Sequence, residues 1–128
     1  MIYLLDVSTL MALLWQLHDE NERVTRWQGT AKLAVCPLTE LGFLRISTQP
    51  VFGATVAEAR KMLRAWKQAV APQFVPCDLE ALGTDEPRTG TKTTDFYLAS
   101  LAAKHGMQLA TLDENIGHQA VFVIPDDE

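Results

Sequence analysis

The chain reads as an α/β protein: a three-layer α/β/α sandwich around a central, mostly parallel sheet, in one domain over residues 1–128. Three observations lead there. Short apolar runs alternate with longer helical patterns from one end to the other. The runs are apolar at consecutive positions, as strands buried on both faces are. And 128 residues, 48% hydrophobic and 21% charged, are enough for one core and too apolar for disorder.

The first strand is Ile2-Tyr3-Leu4-Leu5, ending in Asp6. A helix follows over about Thr9 to Leu17, capped by Ser8, with Leu10, Met11, Leu13, Leu14 and Leu17 on a buried face. His18-Asp19-Glu20-Asn21 interrupts it. A second short helix, about Asp19 to Gln28, stops at Gly29. Lys32 to Cys36 is the second strand, and Pro37 suits the first turn of a helix running to about Ser47. That helix carries Glu40 in its first turn and Leu38, Leu41 and Leu44 along one face. Thr55 and Glu58 have capping-box spacing and open a helix to about Val70, with Arg60, Arg64 and Lys67 as a basic stripe.

Phe74-Val75-Pro76 is a short strand, and Asp78 is placed to cap a brief helix. Gly83 to Thr93 has loop composition. Thr94 caps the next helix, with Asp95 in its first turn, a stripe of Leu98, Leu101, Ala102 and His105, and Gly106 as its stop. Gln108 to Thr111 is a strand leading to Asp113, and Val121 to Ile124 is the last. No repeat, low-complexity segment or interdomain linker interrupts this order.

Composition narrows the function classes. No apolar run approaches the roughly 20 residues of a membrane span. Met1 leads directly into a strand, which leaves no room for a signal peptide. Cys36 and Cys77 lack C-x-x-C spacing; they fit packing roles in a reducing cytosol, so a cytoplasmic location is expected. Three scattered histidines and two cysteines do not make a zinc site. The net charge of −5 weighs weakly against nucleic acid, but clustering matters more than the sum: acids concentrated in a site, and in the tail Asp126-Asp127-Glu128, dominate it.

The acids are where chemistry is legible. A lone carboxylate at the tip of a buried strand is costly unless a cation or a hydrogen-bond network compensates it. Asp6 follows the first strand, Glu40 the second, and Asp113 the strand that starts near Met107. In an open parallel sheet all three lie at the edge where ligands bind. Asp95 joins them if the loop before it returns the chain to that edge, as a right-handed crossover requires. Four clustered carboxylates raise one another's pKa or bind a cation. An all-oxygen acidic set suits Mg²⁺ or Mn²⁺, which can activate water and offset the charge that builds on a phosphodiester under attack. Hydrolysis of nucleic acid fits that chemistry.

Leu5-Asp6-x-Ser8, Thr39-Glu40-Leu41-x-x-Leu44-Arg45, Thr94-Asp95-x-x-Leu98-x-x-Leu101-Ala102 and Thr111-Leu112-Asp113 together resemble the motifs of PIN domains, and most of all the VapC-type toxins of bacterial toxin–antitoxin pairs. The resemblance covers nearly the whole chain; each motif is weak alone, and four in series are specific. It implies a PIN-like, Rossmann-like fold and a Mg²⁺- or Mn²⁺-dependent endoribonuclease that leaves 5′-phosphate and 3′-hydroxyl ends. It also implies inhibition by a cognate VapB-type antitoxin and a homodimer. Asp6 and Asp95 would bind the metal, with Glu40 and Asp113 completing the catalytic set and Ser8 beside it. The fourth acid varies in the family, and Glu114 and Asn115 stand next to Asp113 as alternatives.

Other polar groups are weighed around that set. Ser8 reads first as a helix cap; no histidine is placed to activate it as a nucleophile. His18, His105 and His118 read as surface or stripe residues, and Trp15, Trp27 and Trp66 as packing. The stripe Arg60-Arg64-Lys67 is a solvated face that could also guide RNA or meet the antitoxin. Arg45, Arg88 and Lys92 are the candidates for substrate contact. Two rivals remain: a PIN-like module kept for binding RNA or protein, and a receiver-type signalling domain. The receiver needs an acidic pair after the first strand and a lysine after the last, and here one Asp and Pro125 stand there.

Overall fold

The computed structural model describes residues 1–126. Among them five strands, all parallel, lie in the order β3-β2-β1-β4-β5. They are β1 (Ile2–Leu5), β2 (Lys32–Val35), β3 (Gln73–Phe74), β4 (Gln108–Thr111) and β5 (Val121–Val123). The order reverses at β1, so the crevice beyond the ends of β1 and β4 is the topological switch point, where open α/β sheets bind their ligands. A receiver-type domain would show the order 2-1-3-4-5, so that rival fails on topology.

Among the described residues five helices cover the sheet: α1 (Val7–Leu14), α2 (Asn21–Gln28), α3 (Pro37–Ser47), α4 (Val56–Val70) and α5 (Thr93–Lys104). Neighbouring residues of β1 show the layering. Leu4 packs in the core that α5 closes with Leu98 and Leu101. Leu5 packs in the opposite core, with Leu10 of α1, Val24 of α2, Phe43 of α3 and Leu63 of α4. With apolar cover on both faces, the strands need no polar side, which is why they are apolar at consecutive positions.

Several boundaries differ from the sequence reading, each for a local reason. The first helix starts at Val7, because Asp6 rather than Ser8 caps it: Thr9 N–H donates to Asp6 Oδ1 at 2.8 Å. It ends at Leu14, leaving Leu17 almost wholly exposed. The second begins at Asn21, whose side chain donates to Ala12 O. The bounds of α3 are as expected, but its buried face is Thr39, Phe43 and Ser47, and Leu41 is 62% exposed. The capping box of α4 is present in both directions, Glu58 N–H to Thr55 Oγ1 at 3.0 Å and Thr55 N–H to Glu58 Oε1 at 2.7 Å.

Asp78 caps no helix; it binds His105 instead. The stretch that follows contains two single 3₁₀ turns, Ala81–Gly83 and Gly90–Lys92, and α5 begins at Thr93 with no side-chain cap from Thr94. Both cysteines are free, Cys36 buried and Cys77 exposed. Among the described residues no helix is long and apolar enough to cross a membrane.

Candidate active site

The edge beyond the C-terminal ends of β1 and β4 is held by backbone and threonine contacts. Asp6 N–H donates to Ala110 O at 3.3 Å, tying the start of α1 to β4. Thr9 Oγ1 donates to the same carbonyl at 3.1 Å, and Thr39 Oγ1 of α3 donates to Leu5 O at 2.8 Å. Gly42 lets α3 lie against this turn: a Cβ there would meet Val7 Cγ2 at 2.5 Å. Three threonines, Thr9, Thr39 and Thr111, are fully buried at this edge. Their support was not read from the sequence, although a hydroxyl residue inside an apolar run was the signal available.

Asp6 is 5% exposed. Burial pushes its carboxyl above the usual carboxylate range, against hydrogen bonds from Thr111 and Thr9, and the charge of Asp113 pushes it further. Asp95 enters from the first turn of α5, which runs antiparallel to the strands and so begins at their C-terminal edge. Burial raises its carboxyl too, and the charge of Asp6 adds to the effect, opposed by Lys92. Asp6, Asp95 and Asp113 therefore share one corner and act on one another electrostatically.

Asp113 behaves differently. Lys92 Nζ donates to Asp113 Oδ2 at 2.8 Å, and Asn115 N–H donates to Oδ1 at 2.8 Å. These two bonds, Lys92 first, hold its carboxyl below the usual range. The same pairing raises the Lys92 ammonium, with help from the charge of Asp95. Of the side chains weighed for the fourth place, Asp113 is thus the one coupled to Asp6 and Asp95. Asn115 takes part through its backbone.

Glu40 stands in the first turn of α3 as expected, but its carboxylate is turned toward α4, where Lys67 Nζ donates to Oε2 at 2.5 Å. It lines a groove of about 540 Å³ between α3 and α4, whose rim carries Arg60, Arg64 and Lys67. The basic stripe thus faces the Glu40 side of the edge. Ser8 is exposed in the first turn of α1. Arg45 is exposed and shares a shallow depression with Val7 and Thr94, the neighbours in sequence of Asp6 and Asp95. Arg88 is exposed on the loop before α5.

His105, His118, Trp15 and Trp27 are engaged in pairing and packing of their own. His105 pairs with Asp78, and His118 sits edge-on to Phe96 and reaches Ser100 and Asp85. Trp15 donates to Ser47 and packs on Phe52, and Trp27 meets Tyr3 edge-on and stacks with Phe122.

The corner suits a hard cation in its donors: carboxylate oxygens, two of them on acids whose charge the fold disfavours, with an ammonium already drawn in. Among the described residues, no three acidic, histidine or cysteine side chains converge as a ready-made ligand set. Lys92 and Lys67 each occupy an acid that such a set would use. A divalent ion therefore fits the chemistry of the corner, with side-chain rotation needed to gather the ligands.

The PIN domain family matches residues 3–121. Curated relatives cover the chain nearly from end to end. Ribonuclease VapC38 of Mycobacterium tuberculosis is 35% identical over 121 residues, which is 88% of this chain and 86% of the relative. Ribonucleases VapC44 and VapC29 of the same species are 33% and 31% identical, each over 92% of this chain and 90% of the relative. With the sheet order, the acids at the switch point and these matches in agreement, this chain belongs to the PIN domain family, among its VapC-type members.

Proposed function

We propose that this chain is a Mg²⁺- or Mn²⁺-dependent endoribonuclease, the toxin of a VapBC-type pair, acting in the cytoplasm as a single PIN-like domain. The observation that carries the reading is the pair Asp6 and Asp95: a buried carboxylate and a half-buried one at the switch point, close enough for the charge of Asp6 to raise Asp95, a costly arrangement unless a cation is to be held there. Asp6 and Asp95 are the principal ligands and Asp113 a third. Glu40 completes the set when its side chain leaves Lys67. A divalent cation bound there supplies Lewis acidity, acidifying water and offsetting the negative charge that builds on the phosphodiester.

The chain's own residues do the rest. The Asp6 carboxylate is fixed by the Thr9 N–H and by the Thr111 hydroxyl, so its remaining lone pairs are aimed before anything binds. Arg45, beside Val7 and Thr94, and Arg88 and Lys92, on the approach to α5, would contact RNA phosphates. Ser8 supports the site from the first turn of α1. A VapB-type antitoxin would restrain the enzyme, and a second copy of the chain would cover exposed apolar residues such as Leu41.

The test is cleavage of total RNA by purified protein with Mg²⁺, with Mn²⁺ and with chelator, alongside Asp6→Ala and Asp95→Ala. Metal-dependent fragments lost in both variants support the reading, and mapping their ends identifies the RNA. Fragments that persist in both variants contradict it. Absence of cleavage by a folded protein that still binds RNA favours the binding module.

A further inference from the structure

Lys92 closes the 3₁₀ turn Gly90–Lys92 and stands immediately before α5, three residues from Asp95. Its ammonium is 2.8 Å from Asp113 Oδ2, and its side chain is only 27% exposed. The other Asp113 oxygen is taken by the Asn115 N–H. Asp113 thus has one oxygen bound to backbone and one bound to a mobile cation of the protein's own.

A divalent ion sits about 2.0–2.1 Å from a carboxylate oxygen when the ion is Mg²⁺. An ammonium in hydrogen-bond contact with that same oxygen would then lie against the ion, and the two positive charges exclude each other. The lysine stem has four rotatable carbons and the ammonium no fixed fork, so release needs side-chain rotation and no movement of α5. The nearest compensation for a released ammonium at this edge is an anion, and the backbone of a bound RNA supplies one.

We propose that Lys92 is a tethered counter-cation of the acidic corner: it holds Asp113 while the divalent ion is away and yields that oxygen when the ion binds, turning toward a substrate phosphate. The inference rests on reading the corner as a metal site. Its consequence is coupling. RNA that draws Lys92 off Asp113 strengthens metal binding, and metal that displaces Lys92 strengthens RNA binding by the same factor. Lys92 is thus a positioning residue that sets how readily the free enzyme takes up metal.

The experiment is Mn²⁺ binding to chelator-treated, RNA-free protein, read from the electron paramagnetic resonance of free Mn²⁺. Wild type, Lys92→Met, Lys92→Gln and Lys92→Arg are compared, with Asp95→Asn as the control that removes a ligand. Removing the competitor should tighten Mn²⁺ binding about 2- to 5-fold in the Met and Gln variants, the size expected for a partly exposed ion pair. Lys92→Arg, which keeps the charge, should stay near wild type. Unchanged or weaker binding in both neutral variants, with Asp95→Asn still abolishing it, overturns the role of Lys92 and leaves the metal site standing. If no protein binds Mn²⁺ in a way that Asp95→Asn removes, the metal-site reading falls and the proposal with it.

Discussion

The two ends of α5 carry charge in opposite ways. At the C-terminal end Asp78 is met by His105 Nε2 at 2.9 Å and by Lys104, whose ammonium also donates to the Asp78 carbonyl. The His105 hydrogen bond, with the charges of His105 and Lys104, holds the Asp78 carboxyl below its usual range. At the N-terminal end Asp95 lies among other acids, and burial and the charge of Asp6 raise it although Lys92 opposes them. The helix dipole favours both arrangements, an acid in the first turn and a base in the last. It therefore does not separate them; burial and the identity of the neighbours do. An acid matched by cations on the surface supports the fold. An acid held at a cost to the fold, beside others like it, is where the proposed metal site lies.

The sharpest way to break this contrast is catalytic. Asp95→Ala and Asp6→Ala should each reduce RNA cleavage by about 10²-fold or more, since even indirect supports of a metal site cost up to that much. Asp78→Ala should leave the cleavage rate unchanged. Equal losses at both ends would erase the distinction.

Stability should move the other way. Asp6→Asn keeps the oxygen that caps α1 and removes the buried charge, so the metal-free protein should gain several degrees in its unfolding midpoint at neutral pH. The sign follows from linkage. A carboxyl raised in the folded state penalises folding above its folded pKa. That penalty fades as pH falls and is gone below the ordinary value of 3.8. The advantage of Asp6→Asn should shrink accordingly in a pH series of thermal melts.

Gly106→Ala tests the C-terminal end. Gly106 has φ +71°, and Met107 N–H to Ala102 O at 2.8 Å with Gly106 N–H to Ala103 O at 3.1 Å closes the helix around it. A Cβ there meets nothing within 4 Å, so only the left-handed backbone is penalised. Denaturant unfolding should report a loss of about 1 kcal/mol with cleavage intact.

The smallest effect is expected for Asp78→Asn. A depressed carboxyl adds stability above its ordinary value of 3.8 and loses it as pH falls through the folded value. Melts should therefore show a slight destabilisation at neutral pH that disappears in acid.

What was legible in the sequence was local. Pro37 and the Thr55–Glu58 box marked the starts of α3 and α4 because each signal acts within one turn. The alternation of strands and helices carried the parallel sheet, and position after a strand or at a helix start carried Asp6, Asp113 and Asp95. Contacts between distant segments were not legible. Ser8 looked like the cap of α1 because nothing in the sequence says where the chain turns after β1, and Asp6 took that role. The phase of α3 about its axis is set by Gly42 meeting Val7, which left Leu41 outside and Phe43 within. Glu40 was placed at the right edge, yet its pairing with Lys67 spans 27 residues and depends on how α4 crosses α3.

The most direct measurement is the shift in unfolding midpoint when Mg²⁺ or Mn²⁺ is added to chelator-treated protein, wild type against Asp95→Asn. A corner built to hold a divalent ion gives wild type a midpoint that rises with metal concentration, and Asp95→Asn little or no rise. Equal rises in the two proteins, or none in wild type, would contradict the claim that Asp6 and Asp95 are held at a cost to the fold in order to bind a metal.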